Sequence, residues 1–118
     1  MDNNLYNYKA IVVSVYDGDS ITLDIDLGFN IWMRNQKVRL YGIDTPEIRG
    51  EERNEGLIAR DRLRELILNK EVILTSYKDK SGKYGRWLGT IFLKDKDNSW
   101  ENINQLLLAE GLAENYIS

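Results

Sequence analysis

The chain contains no cysteine, no histidine and a single proline. Without cysteine there is no disulfide framework, no thiol nucleophile and no thiolate metal site. Without histidine, imidazole is excluded as a general base, so proton transfer is left to carboxylates, tyrosine, lysine, water or a metal. Compartment cannot be read from the missing cysteines, since reducing and oxidising settings both allow it. No apolar run approaches the roughly 18 residues of a membrane span. The first residues, Met1-Asp2-Asn3-Asn4-Leu5, carry neither a basic segment nor an apolar one, so no signal peptide is expected. The chain as written is therefore expected to be cytoplasmic and without membrane contact, although a processed, secreted form would read the same.

At 118 residues the chain has the length of one domain, and no stretch reads as a linker, so residues 1–118 are expected to form a single unit. The net charge is −3, from 16 basic and 19 acidic residues, without the basic excess usual in a dedicated nucleic-acid binder. The distribution is uneven. Residues 1–30 hold five aspartates and one lysine, whereas Lys78, Lys80, Lys83 and Arg86 stand against Asp79 alone. An acidic pole beside basic loops suits either plain solvated surface or a site that takes a cation and a phosphate together.

The first half of the chain alternates with period two. Ile11, Val13 and Val15 share one face of a first strand, and Ile21, Leu23, Ile25 and Leu27 share one face of a second. Asp17-Gly18-Asp19 between them is a hairpin signal. A connection at Gly28 to Asn30 leads to a third strand, Trp32 to Ile43, with Val38 and Leu40 facing the core. Pro46 then fixes the backbone, and Ile48 to Glu55 reads as a loop. From Asn54 to Asn69 the period turns helical: Ala59, Leu63, Leu66 and Ile67 form the buried face, and Arg60, Asp61, Arg64 and Glu65 face water. Strands follow over Glu71 to Tyr77 and Tyr84 to Leu93, joined by Lys80-Ser81-Gly82-Lys83. After a polar loop from Lys94 to Ser99, Asn102 caps a short helix carrying Ile103, Leu106 and Leu107, which Gly111 stops. The order β-β-β-α-β-β-α, mainly β with helices, is that of a five-stranded Greek-key OB-fold barrel, although other small α+β domains share it.

Hydrolysing a phosphodiester requires neutralising the extra charge on the phosphoryl oxygens, aligning a water and assisting the leaving oxygen. Arginine matches two phosphate oxygens at once, and a hard cation prefers carboxylate and carbonyl oxygen. Asp19 at the first hairpin, Arg39 in the third strand, Asp44, Thr45 and Glu47 at its end, and Arg86 after the basic hairpin are candidates. Each also has an ordinary reading: a turn aspartate, an exposed ion-pair partner, a helix-start signal, a strand entry.

Taken together these segments resemble the staphylococcal nuclease family. The matching stretches are Asp17-Gly18-Asp19-Ser20, Val38 through Glu47 (VRLYGIDTPE), Lys83-Tyr84-Gly85-Arg86 and Ala109-Glu110-Gly111-Leu112-Ala113, in the family's order across nearly the whole chain. The resemblance implies an OB-fold barrel and a calcium-dependent nuclease acting on DNA and RNA, cleaving at the 5′ oxygen and leaving 3′-phosphate ends. It implies one Ca2+ ion held by Asp19, Asp44 and the backbone carbonyl of Thr45, with Glu47 reaching the ion through water and positioning or deprotonating the attacking water. Arg39 and Arg86 would grip the scissile phosphate. Lys83 and Tyr84 match nucleotide-binding positions, and Tyr116 is a candidate for stacking on a base. Implied partners are single-stranded or frayed DNA and RNA, with a monomer as the default state. The loop after Glu47 departs from the lysine-rich loop of better-known members, carrying Arg49, Glu51, Glu52 and Arg53, which bears on affinity and salt dependence. The rival reading is a catalytically inactive OB-fold module that binds single-stranded nucleic acid through aromatic platforms such as Trp32, Tyr41, Tyr84 and Trp87.

Overall fold

A computed structural model describes residues 5–81 and 86–116. Three antiparallel strands open the chain: β1 (Leu5–Asp17), β2 (Ser20–Asp26) and β3 (Trp32–Leu40). On β2 the inward positions are Ile21, Leu23 and Ile25, as the alternation predicts, whereas Leu27, expected on the same face, falls past the strand's end at Asp26 and is exposed; on β3 Val38 and Leu40 are completely buried. On β1 the expected phase is wrong. The buried residues are Ala10, Val12 and Val15, while Val13 is exposed. The cause lies in the pairing with β2: Val12 faces Leu23 and Ser14 faces Thr22, so Val13 is an extra residue, and a second irregularity falls between Val15 and Asp17. Each inserted residue reverses the in–out alternation and bends the strand.

The β1–β2 turn is shaped by what packs on it. Neither Gly18 nor Asp19 has a positive φ, so the turn lacks the left-handed geometry that usually selects Asp-Gly. Gly18 is required for another reason. A Cβ there would sit 2.7 Å from the Thr45 hydroxyl oxygen and 2.9 Å from the Ala59 side chain. The turn is wedged between the end of the third strand and a helix.

That third strand stops earlier than expected. Gly42, at φ 80°, breaks it, and a two-residue strand β4 (Ile43–Asp44) follows. The loop after Pro46 contains a short 3-10 turn at Gly50–Glu52, and helix α1 spans Arg53–Ile67. Ala59, Leu63 and Ile67 are buried and Leu66 half-buried, whereas Arg64 turns back to donate to the Val15 carbonyl at 3.1 Å instead of facing water. Asn69, at φ 63°, ends the helical segment and donates its N–H to the Val12 carbonyl at 2.8 Å, docking it on β1 beside the bulge.

Strand β5 (Glu71–Ser81) pairs with β1, and β6 (Trp87–Lys94) pairs with β5. β6 also runs parallel to β3, with Val38 facing Trp87, Arg39 facing Leu88 and Leu40 facing Gly89. This contact closes β3-β2-β1-β5-β6 into a five-stranded OB-fold-like barrel around one apolar core. A short strand β7 (Trp100–Asn102), unforeseen in the sequence, extends the sheet beyond β6. Asn102 caps helix α2 (Ile103–Ala109) as expected, accepting from the Gln105 N–H at 3.0 Å, and Gly111 follows at φ 75°. Asn104 of α2 is 1% exposed, and its amide donates to the carbonyls of Tyr41 (3.0 Å) and Gly89 (3.1 Å) while accepting from the Ile91 N–H. It therefore ties α2 to both strands that close the barrel. A last strand, β8 (Glu114–Asn115), pairs with β4. Among the described residues no helix is long and apolar enough to cross a membrane.

Candidate nuclease site

The end of the β1–β2 hairpin, the end of β3 and the start of β6 meet at one mouth of the barrel. There a cleft of about 540 Å³ is lined by Asp19, Arg39, Asp44, Glu47 and Arg86 together with Asp17 and Ser20. Five side chains named from sequence therefore share one cavity, although the first and last are 67 positions apart in the chain. Ladder geometry does this: Ser20 is the register partner of Arg39, and Arg39 faces Leu88 across the barrel seam.

Asp19 is nearly buried. One carboxylate oxygen accepts the Thr45 N–H at 3.1 Å and the other accepts the Ser20 hydroxyl at 3.2 Å. Arg39 fills the space between the acids. Its guanidinium donates to the Ile43 carbonyl at 3.0 Å and to Asp44 at 3.3 Å, and it lies 3.7 Å from Asp19. With 15% of its side chain exposed, it is held by backbone and carboxylate acceptors and lines the cleft. Arg86 donates to the Ser20 hydroxyl at 3.0 Å. Ser20 thus links the second arginine to Asp19, a connection that neither residue's sequence context announces.

The acids feel one another. Burial and the charge of Asp19 push the Asp44 carboxyl above its ordinary value, against the pull of Arg39, and Glu47 adds to the rise. Asp17, at the start of the hairpin turn, is pushed up to about 7, first by burial and then by its hydrogen bond to and charge repulsion from Asp19. Such crowding of negative charge is what a bound cation relieves. The donors available to it are all oxygen, the set a hard cation prefers. Among the described residues no group of three acidic side chains forms a metal-holding cluster. An ion here would draw on Asp19 and Asp44, with backbone oxygen and water completing its shell. Thr45 lines a smaller adjoining pocket of about 170 Å³ with Asp44 and Glu47, and its buried hydroxyl has no hydrogen-bond partner among the described residues.

The backbone of Glu47 is set by α1. At Gly56 a Cβ would lie 2.1 Å from the Glu47 carbonyl oxygen, so the helix touches the loop with its bare backbone. Asp44 is held from the other side, facing Glu114 of β8. Tyr116, next along, hydrogen-bonds through its N–H to the Gly42 carbonyl at 2.9 Å, and its ring lies 4.8 Å from the Arg39 guanidinium. In this arrangement Tyr116 covers an arginine. Lys83 and Tyr84 lie outside the described residues.

Comparison with known proteins agrees with the geometry. The sequence model of the family described as staphylococcal nuclease homologue matches residues 37–118. An uncharacterized protein of Methanocaldococcus jannaschii is 32% identical over 95% of this chain and 61% of its own length. The chain thus spans about 61% of that relative, and the alignment takes in the first hairpin, which the family match leaves out. Barrel, cleft and sequence match agree: the chain belongs to the staphylococcal nuclease homologue family.

Proposed function

We propose that this protein is a calcium-dependent nuclease that hydrolyses phosphodiester bonds in DNA and RNA. The observation that carries this reading is the convergence of Arg39 and Arg86 with Asp19, Asp44 and Glu47 on one cleft. Two guanidiniums, one held by the Ile43 carbonyl and one by Ser20, line the same cleft and would both bind a phosphate. They would offset the charge that builds on its oxygens in the transition state. Glu47, which lines the same cleft and whose backbone packs against α1, would orient or deprotonate a water. Asp19 and Asp44, with the carbonyl of Thr45, would hold the calcium ion, which when bound supplies further positive charge to the phosphate. Cleavage at the 5′ oxygen, leaving 3′-phosphate ends, follows from the family resemblance. So do the roles of Lys83, Tyr84 and Tyr116 toward the nucleotide.

The test is incubation with heat-denatured DNA and with RNA, in calcium or in chelator, using the wild type, Arg39→Ala and Glu47→Ala. The expected result is calcium-dependent degradation that falls by roughly 10²–10⁵ in each variant. Equal degradation in every tube would expose a contaminant. Binding of the DNA without cleavage would assign the chain to the non-catalytic OB-fold modules instead.

A further inference from the structure

The cleft is longer than the cluster of acids and arginines. It continues along the outer face of the first three strands past Ser14, Thr22 and Lys37. These three residues form a row. Ser14 is the register partner of Thr22, and Thr22 that of Lys37. The row lies one same-face step beyond the Ser20–Arg39 pair, about 6.6 Å along the strands, close to the spacing of successive phosphates in an extended polynucleotide. It offers two hydroxyls and one ammonium and no carboxylate, a donor set that suits an oxyanion. Among the described residues Lys37 has no ion-pair partner, in contrast to Arg39, which is tied to Asp19 and Asp44. One step further the character reverses. Asp24 is held ionised, chiefly by the Asn35 N–H and also by Arg34, so the face that welcomes an anion ends there.

We infer that Ser14, Thr22 and Lys37 form a second phosphate subsite, which takes the phosphate next to the scissile one and makes polynucleotides the preferred substrate class. The inference rests on the nuclease reading of the neighbouring cluster. Lys37 supplies charge and the hydroxyls of Ser14 and Thr22 orient the phosphate. Asp24 limits the run to one extra phosphate on this side.

The experiment compares wild type, Lys37→Gln, Thr22→Val and Lys37→Arg on an oligothymidylate and on bis(p-nitrophenyl) phosphate, whose single phosphodiester cannot reach the row. Binding of the oligothymidylate in chelator is measured across a salt series in parallel. In Lys37→Gln, KM for the oligonucleotide should rise roughly two- to fivefold, the scale of one exposed ion pair, with kcat unchanged. The slope of log affinity against log salt should fall by about 0.7. Thr22→Val should raise KM by less, Lys37→Arg should restore it, and the single diester should respond to none of the three. Unchanged KM and unchanged salt slope in Lys37→Gln would overturn the subsite. So would an equal loss on both substrates. A wild type that binds but does not cut, yet shows the altered salt slope in Lys37→Gln, would keep the subsite and remove the nuclease reading. A wild type that neither binds nor cuts would remove both.

Discussion

Replacing Asn104 by alanine tests how the barrel is closed. The side chain is 1% exposed and makes three hydrogen bonds: to the Tyr41 carbonyl, to the Gly89 carbonyl and from the Ile91 N–H. The Gly89 carbonyl keeps a second donor, the Tyr41 N–H at 2.7 Å, so it is not orphaned. The Ile91 N–H and the Tyr41 carbonyl each lose this partner inside the protein. At about 1–3 kcal/mol for each buried group left unsatisfied, the expected loss for the two is about 2–6 kcal/mol. That is a large share of the roughly 5–15 kcal/mol that holds a domain together. For a chain of this length it should lower Tm by about 10–25 °C. The assay is urea unfolding in chelator, followed by the fluorescence of the three tryptophans, with the midpoint moving and the slope preserved. Asn104→Asp is the sharper control, because it keeps the shape but turns an acceptor toward two carbonyls. It should cost at least as much as alanine. If alanine costs under about 1 kcal/mol, or aspartate is tolerated, Asn104 merely fills space and its proposed part in closure is wrong.

Other perturbations follow from the site. Asp17 has an ordinary value of 3.8 and is raised to about 7 in the folded protein. The native state therefore holds its proton more tightly than the unfolded chain does. In metal-free protein its contribution to stability is complete below about pH 4 and is lost as pH rises through 7. Because the group is partly exposed, screening reduces the effect to on the order of 1–2 kcal/mol. Melts at pH 5 and pH 8 in chelator should show Asp17→Asn gaining on the wild type at the higher pH, and a pH-independent difference would refute the shift. Gly56→Ala should gain about 1 kcal/mol of helix propensity. It should lose more by forcing α1 and the Glu47 loop apart, with net destabilisation of about 1–3 kcal/mol and kcat lowered by about tenfold or more. A variant that is more stable and fully active would show that the contact is loose. In the cleavage assay, Ser20→Ala should weaken activity by less than Arg39→Ala does, since it loosens Arg86 without removing it.

Local rules carried the sequence reading where the cause of a feature is local. The alternation of β2 is set by the core on one side, and the Asn102 cap and Gly111 stop are properties of a few adjacent residues. The phase of β1 was not legible, because a bulge at Val13 depends on how two strands pair and not on the type of residue inserted. Strands β4 and β8 are two residues long and exist only through each other, far apart in the chain, while β7 is a three-residue return strand that forms only against β6. The same division runs through the site. Each acid and arginine could be named, yet on residue type alone each had an ordinary alternative, and the family resemblance supplied the grouping. Ser20 and Asp17 show no role in the sequence, because their importance comes from neighbours met only in three dimensions. The packing roles of Gly18 and Gly56 are illegible in the sequence for a related reason: what matters at both is the atom they lack, opposite a backbone or side chain from elsewhere in the chain.

The seam between β3 and β6 joins segments almost fifty positions apart, and Arg39 stands at it with Arg86 just before the second strand. A chain with its first hairpins formed and this seam still open would own every group of the cleft and have no cleft. Whatever reaction the cleft performs is therefore switched on by this one parallel pairing, and its recovery during refolding would clock that closure.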